Sequence, residues 1–204
     1  MPPGAPFPVA FFDRSSLEVA PELVGAYLVH QPARSVRLVA RIVEVEAYLG
    51  DGSDPGSHCH RGRTPRNQAM FGPPGRLYVY RSYGIHTCAN VVCEAEGRGA
   101  AVLLRAFEPV EGAVRMRRLR GLTPQALARE VGSGPGKLCQ ALGISLDDYG
   151  SSLLRGRLTL RRPGARDPTL PIARSRRIGL GKGCEHPYRF YARGHPCVSR
   201  GRPG

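Results

Sequence analysis

Residues 36–48, VRLVARIVEVEAY, constrain the fold more than any other stretch of the chain. Side chains alternate between the two faces of a strand. Val36, Leu38, Ala40, Ile42, Glu44 and Glu46 then share one face, and Arg37, Val39, Arg41, Val43 and Val45 share the other. The abundance of valine and isoleucine fits a long strand. The first face runs apolar and then ends in two carboxylates. Packing alone gives no reason for acid there, because an ionised carboxylate resists burial unless it is paired.

The rest of the chain supplies neighbours for that strand. Residues 15–25 (SSLEVAPELVG) predict a short helix, capped by Ser15 or Ser16 with Glu18 in its first turn. Residues 26–30, 77–81, 86–93 and 101–107 read as further strands, with weaker ones near 158–162, 171–178 and 188–192. Helical patterns lie near 111–120, 123–131 and 136–143. Residues 49–76 carry Gly-Asp-Gly, Asp-Pro-Gly, Thr-Pro and Gly-Pro-Pro-Gly turns, and an irregular stretch this long inside a compact domain is usually functional or disordered. Residues 1–9 and the tail from about 193 read as loose, because they are rich in Pro, Gly and Arg. At 204 residues the chain fits a single domain, 1–204, of the α+β class.

Charge narrows the partners. Thirty Lys and Arg against 16 Asp and Glu give a net +14, and such a surface attracts a polyanion. Nucleic acid leads and an anionic membrane comes second. Only Lys137 and Lys182 are lysines. Arginine favours bidentate phosphate contacts, although a GC-rich genome would enrich it too. No stretch is long and apolar enough for a membrane span, and MPPGAPFPVAFF lacks the basic and apolar regions of a signal peptide. A soluble, intracellular protein is expected, in which the six cysteines are reduced thiols. They form no CxxC pair, so a structural zinc site is not expected.

Several side chains have chemical potential. Glu46, ending an apolar face beside a long polar loop, could act as a base on water; the bland alternative is a partly exposed acid paired with one of many arginines. Tyr48, Tyr78, Tyr80 and Tyr83 lie in or beside two strands, and their rings could stack on bases. Strands favour tyrosine in any case. His58-Cys59-His60 has no partner in a zinc pattern, so His58 reads as a hydrogen-bonding residue of a polar loop. GSGPGKL at 132–138 imitates a phosphate loop, but Val131 and Leu138 break the motif. It reads as a Gly-rich turn opening a helix near Gly136, where Lys137 could hold a phosphate.

Taken together, EVEAYLG (44–50), RGRTPRNQAMFGPPGRLYVYRSYG (61–84), AVLLRAFEP (101–109), GPGKLCQALGI (134–144) and RFYARGHPCVSR (189–200) resemble the alkyladenine (3-methyladenine) DNA glycosylase family. The resemblance runs in order from about residue 15 to residue 200. It implies a curved, mostly antiparallel, open-barrel-like sheet flanked by helices. It also implies a one-step hydrolytic glycosylase that flips alkylated or otherwise damaged purines, such as 3-methyladenine and 7-methylguanine, out of double-stranded DNA and leaves an abasic site. Hypoxanthine and ethenoadenine are further candidates.

On the matching positions the resemblance implies that Glu46 activates water and that Arg105 helps hold both. Tyr48, His58 and Tyr80 would line the base pocket. Asn90 would reject the exocyclic amino group of guanine, and Tyr83 would intercalate where the base has left. Arg63, Arg66 and Lys137 are candidate DNA-backbone contacts. Glu44 is expected to form a structural ion pair. No lysine lies near the pocket motifs, so no Schiff base or strand cleavage is expected, and no metal or cofactor is required. The expected form is a monomer, cytoplasmic at the nucleoid in a prokaryote or nuclear in a eukaryote. The loop from Glu46 to His58 is one residue longer than the family's, and Ile85 stands where the family has methionine.

Two other classes share some of these features. A non-catalytic nucleic-acid-binding protein would explain the charge and tyrosines but not a carboxylate ending an apolar face. A hydrolase of free nucleosides or RNA would need neither Tyr83 nor so much positive charge.

Overall fold

A computed structural model describes residues 3–200. Two short helices, α1 (Val9–Phe12) and α2 (Ser16–Leu23), precede strands β1 (Tyr27–Ala33) and β2 (Val36–Tyr48). After the long irregular segment come β3 (Leu77–Ser82), β4 (His86–Cys93) and β5 (Ala100–Glu111). Helices α3 (Ala113–Leu119), α4 (Ala128–Gly132) and α5 (Pro135–Leu142) follow, and then β6 (Leu158–Arg161), β7 (Ile172–Ser175) and β8 (Arg189–Ala192). The expected α+β class holds: one domain whose antiparallel sheet curls into a half-barrel.

Sheet order is β3-β4-β5-β2-β1-β6, with β8 joining β2 and β7. β2 is the spine. One edge pairs along its length with β5, while on the other edge β1 pairs with its first half and β8 with Glu44–Glu46. The partner changes at a break in register. Ile42 faces Phe107, Glu44 faces Ala106 and Val45 faces Leu104, so Val43 and Arg105 are each an extra residue. Such bulges re-aim the side chains that follow.

This corrects the face assignment made from alternation. Leu38, Ala40 and Ile42 lie in the main core, but so do Val43, Val45 and Ala47. Parity therefore inverts after Ile42. Glu44, Glu46 and Tyr48 do not continue the apolar face; they are turned to the opposite side of the sheet. Across the ladder, Leu104 and Ala106 stay in the core, which leaves Arg105 on the side of the carboxylates.

Helices α2, α3 and α5 bury Val19, Leu23, Met116, Leu138 and Leu142 in the main core. Ser15 caps α2, accepting from the Leu17 amide at 3.3 Å. α5 begins at Pro135, where the missing N–H costs nothing, and ends at Gly143 with φ 67°. The pattern expected over 123–131 yields helix only at 128–132, because Leu127 is extended. On the other face, residues from the 49–76 segment form a second cluster, Cys59 and Met70 packing with Tyr78, Val92 and Ala101. Asn67 organises that segment, donating to the carbonyls of His58 and Gly62 and accepting from the Thr64 amide.

The described part of both ends is tied down, against expectation. Gly4 donates to Arg162, and Phe7 is buried against Phe11 and Phe12. At the other end Cys197 is buried and Ser199 bonds Glu44. A hydrophobic ring and a buried carboxylate outweigh the Pro- and Gly-rich composition. Residues 1–2 and 201–204 lie outside the described residues. All six cysteines are unpaired.

Gly132 sets the distance between α4 and the strand carrying Arg105. A Cβ there would lie 2.5 Å from the Phe107 carbonyl oxygen and 2.7 Å from its ring. Gly132→Ala is expected to destabilise the fold by about 1–3 kcal/mol, seen as a lower urea midpoint at constant slope. An unchanged midpoint would show that this contact has slack.

Candidate active site

The inverted half of β2 places two carboxylates under one wall of a cleft. Glu46 is fully buried. Its Oε2 accepts from the Tyr48 hydroxyl at 2.9 Å and from Arg105 Nη1 at 3.2 Å, and its Oε1 accepts from the Ile178 amide at 2.8 Å. Burial pushes its carboxyl above the usual range, against the opposing pull of Arg105, the Ile178 amide and Tyr48. A buried anion held this way is a stronger base than an ordinary glutamate, and it is short of one partner. An ionised carboxylate offers about four acceptor sites, and these three donors leave one on Oε1.

Glu44 lies deeper in the same layer. Arg105 and Arg189 donate through Nε to its Oε1 at 2.9 and 2.8 Å. Ser199 gives it both a backbone amide (2.6 Å) and a hydroxyl (2.7 Å). Burial opposes ionisation here too, but Arg105, Arg189 and Ser199 outweigh it and hold the carboxyl below its usual range. Glu44 is thus the structural ion pair expected of it. The two acids sit two residues apart, and their surroundings drive them in opposite directions.

The cleft over this layer has a volume of about 720 Å³. Tyr48, His58, Tyr80, Leu103, Arg105 and Ile178 are among its walls; three of them are the residues that hold Glu46. Tyr80 stacks on Tyr78 at 5.4 Å and meets the His58 ring edge-on at 4.4 Å. His58 Nδ1 lies 2.9 Å from the Tyr78 hydroxyl. Burial and the nearby Arg66 lower the His58 pKa, which keeps the ring neutral at pH 7. The longer loop therefore still delivers His58 to the cleft.

Asn90 does not line the main cleft. It donates to the Tyr78 carbonyl and borders an adjoining cavity of about 40 Å³, shared with Tyr48, His58 and Tyr80. Tyr83 stands at the tip of the β3–β4 hairpin, 85% exposed and with φ 51°. A non-glycine residue in that region is strained, a condition that clusters at functional sites.

The candidate DNA contacts separate. Arg66 lines the cleft, donates to the Arg81 carbonyl and lies 5.8 Å over the Tyr80 ring. Lys137 also lines the cleft, exposed in the first turn of α5. This overturns the expectation that no lysine lies near the pocket: α5 folds back against β4 and β5, a long-range contact invisible in the motif spacing. Arg63 stands apart, over the Phe71 ring at 6.0 Å.

Four side chains that order the buried layer carry no signal of that in the sequence. Arg189 and Ser199 lay within a motif already singled out. Of the buried pair, Asp54 lies in the irregular 49–76 segment, and Arg177 lies at the end of the weak strand expected over 171–178, which the structure stops at Ser175. Two buried acids do require cations nearby, but 28 other arginines and lysines besides these two hide which ones answer.

The fold and site define a basic protein with an aromatic cleft, backed by a buried basic carboxylate and flanked by an exposed tyrosine. Residues 10–196 match the methylpurine-DNA glycosylase family. A protein of Methanoculleus marisnigri is 50% identical over 197 residues, covering 95% of this chain and 98% of its own. One from Rhodopseudomonas palustris is 51% identical over 181 residues, 88% of this chain and 81% of its own. One from Leifsonia xyli is 47% identical over 190 residues, 92% and 89% respectively. All three are provisionally named 3-methyladenine DNA glycosylases. The chain belongs to the methylpurine-DNA glycosylase family, among the DNA-repair hydrolases of N-glycosyl bonds. No helix among the described residues is long and apolar enough to cross a membrane.

Glu44 carries a sharp pH signature. Its folded pKa lies below the ordinary 4.5, so its ionised form stabilises the fold above that pH and the contribution fades as pH falls through the lowered value. Glu44→Gln is expected to cost about 3–5 kcal/mol at neutral pH by stranding buried arginine charge. The difference from wild type should shrink in acid. Equal stabilities at pH 7, or a gap that ignores pH, would contradict the pairing.

Proposed function

We propose that the cleft receives a damaged purine flipped from duplex DNA and that Glu46 activates the water that displaces it. The observation that carries this reading is the position of Glu46. It is a carboxylate made more basic by burial, with one free acceptor site, held by three residues that themselves wall a cleft large enough for a nucleobase.

The glycosidic carbon is inaccessible inside a stacked duplex. Extruding a nucleotide costs a few kcal/mol, and an inserted side chain offsets that by filling the hole. Tyr83 has the exposure and the hairpin-tip position for such a wedge. In the cleft, Tyr48 and Tyr80 offer ring faces, with stacking worth roughly 1–3 kcal/mol per base. His58, neutral, offers a ring nitrogen to the base edge. Asn90, bordering the adjoining small cavity, would crowd an amino substituent that reached into it. Arg66 and Lys137, on the walls, would meet phosphates, and Arg63 would do so from farther out.

A purine alkylated at N3 or N7 already bears positive charge, so 3-methyladenine and 7-methylguanine leave without prior protonation. A water bound at Oε1 gives its proton to Glu46 while its oxygen bonds to C1′. The N-glycosidic electron pair returns to the purine ring, neutralising its charge. The carboxylate also faces the cationic sugar formed as that bond stretches. Arg105 fixes the carboxylate by holding Oε2. Lys137 is exposed, with nothing to desolvate its amine, so it serves phosphate rather than a Schiff base. The product is an intact strand bearing an abasic site.

Glu46→Gln is expected to lower single-turnover release of 7-methylguanine from a duplex by about 10²–10⁴-fold with little change in DNA affinity. Wild-type rates should fall in acid with a midpoint above 4.5, since the raised pKa means that the base is lost to protonation earlier than an ordinary glutamate. Strands should break only after alkali is added. Full activity in Glu46→Gln, or equal action on free nucleosides, would overturn the reading.

A further inference from the structure

Arg177 is a fully buried arginine on a segment without regular secondary structure. Its Nη1 and Nη2 donate to Asp54 Oδ2 and Oδ1 at 2.7 and 2.6 Å, a two-pronged pair between two fully buried side chains. The same nitrogens reach the carbonyls of Ala47 (3.0 Å) and Gly183 (2.6 Å). Asp54 in turn accepts from the amides of Leu49 and Gly56. One ion pair thereby knits the end of β2, the 49–60 loop and the 177–183 loop. The two loops touch so closely that a Cβ on Gly183 would lie 2.7 Å from the Gly56 amide nitrogen.

Both consequences of this clamp end at Glu46. The next residue, Ile178, donates its amide to Glu46 Oε1. The guanidinium also lies 4.6 Å over the ring of Tyr48, whose hydroxyl donates to Oε2. A buried pair of this kind adds little net stability, because desolvation cancels most of the attraction, so its placement points to a demand other than holding the fold.

We propose that Arg177, clamped by Asp54, is a positioning residue that sets the orientation and proton affinity of Glu46 through the Ile178 amide and the Tyr48 ring. This rests on the reading of Glu46 as the base. The other groups that face Glu46 are Arg105 and Glu44 behind it, Tyr48 beside it, and Tyr80 and Cys88 from β3 and β4, with Arg189 behind Glu44. Arg177 differs from them in controlling a backbone donor. Without the clamp the anion loses that donor and a nearby cation, so its proton affinity rises.

Two variants test this: Arg177→Lys, and the double variant Asp54→Asn with Arg177→Met, which removes both charges and leaves none buried unpaired. Each is compared with wild type by single-turnover release of 7-methylguanine across pH, by affinity for a duplex carrying an uncleavable neutral abasic analogue, and by thermal unfolding. The expected result is a rate loss of roughly 10–10²-fold, unchanged duplex affinity, and an acid limb displaced to higher pH, more so in the double variant. Folded variants whose acid limb stays at the wild-type position would overturn the proposal. Failure of both to fold would overturn it too, since the pair would then hold the fold and not the carboxylate. Glu46→Gln run in parallel separates the two readings: if it retains activity, the base assignment falls, and if it is inactive while the acid limb of the Arg177 variants is unmoved, only the positioning role falls.

Discussion

Glu44, Glu46, Arg105 and Arg189 occupy one buried layer between the sheet and the C-terminal segment. Charges in such a place must satisfy each other, because the effective penalty for stranding one is several kcal/mol. Arg105 bonds both acids, Arg189 donates to the same Glu44 oxygen as Arg105, and the Ser199 amide takes the other oxygen. The bulge at Val43 and Arg105 is what brings these side chains to the same face. Were β2 to run through Val43 with unbroken alternation, Glu44 and Glu46 would instead share the face of Ile42, in the apolar core.

That asymmetry is the source of chemical potential. Glu44 has four donors, as many as a carboxylate has acceptor sites, and remains an anion; Glu46 has three donors and is left more basic. Pairs of like groups pushed apart by their surroundings are a common way for one site to hold a fixed charge and a working base side by side. The aromatic walls over Glu46 and the strained, exposed Tyr83 at the hairpin tip extend the same logic outward. In the function proposed above, the basic rim would attract the duplex, Tyr83 would open it, and the cleft would accept the displaced base.

Much of the fold is legible in the sequence. β2 and β4 have the boundaries that alternation and turn residues mark, and Ser15 caps α2 as its position suggests. The bulge is not legible, because counting faces assumes constant parity, and two consecutive apolar residues, Ile42 and Val43, conceal the slip. The order of the ends is not legible for a related reason: Pro and Gly lower local propensity, but Phe7 and Ser199 are held by distant partners. At the site, Glu46, Tyr48, His58, Tyr80 and Arg105 are gathered around one cleft, each from a segment with a distinctive local motif. Arg177 escapes notice as one arginine among many, and Lys137 approaches only because α5 packs back on the sheet.

The central claim is that Glu46 presents negative charge to the sugar as the base departs. The most direct measurement compares affinity for two duplexes, one holding a cationic pyrrolidine in place of the damaged nucleotide and one holding its neutral tetrahydrofuran counterpart. Wild type should prefer the cationic ring, and Glu46→Gln should lose that preference while binding the neutral duplex as before. An equal preference for the cation in both proteins would show that the carboxylate does not face the reacting carbon.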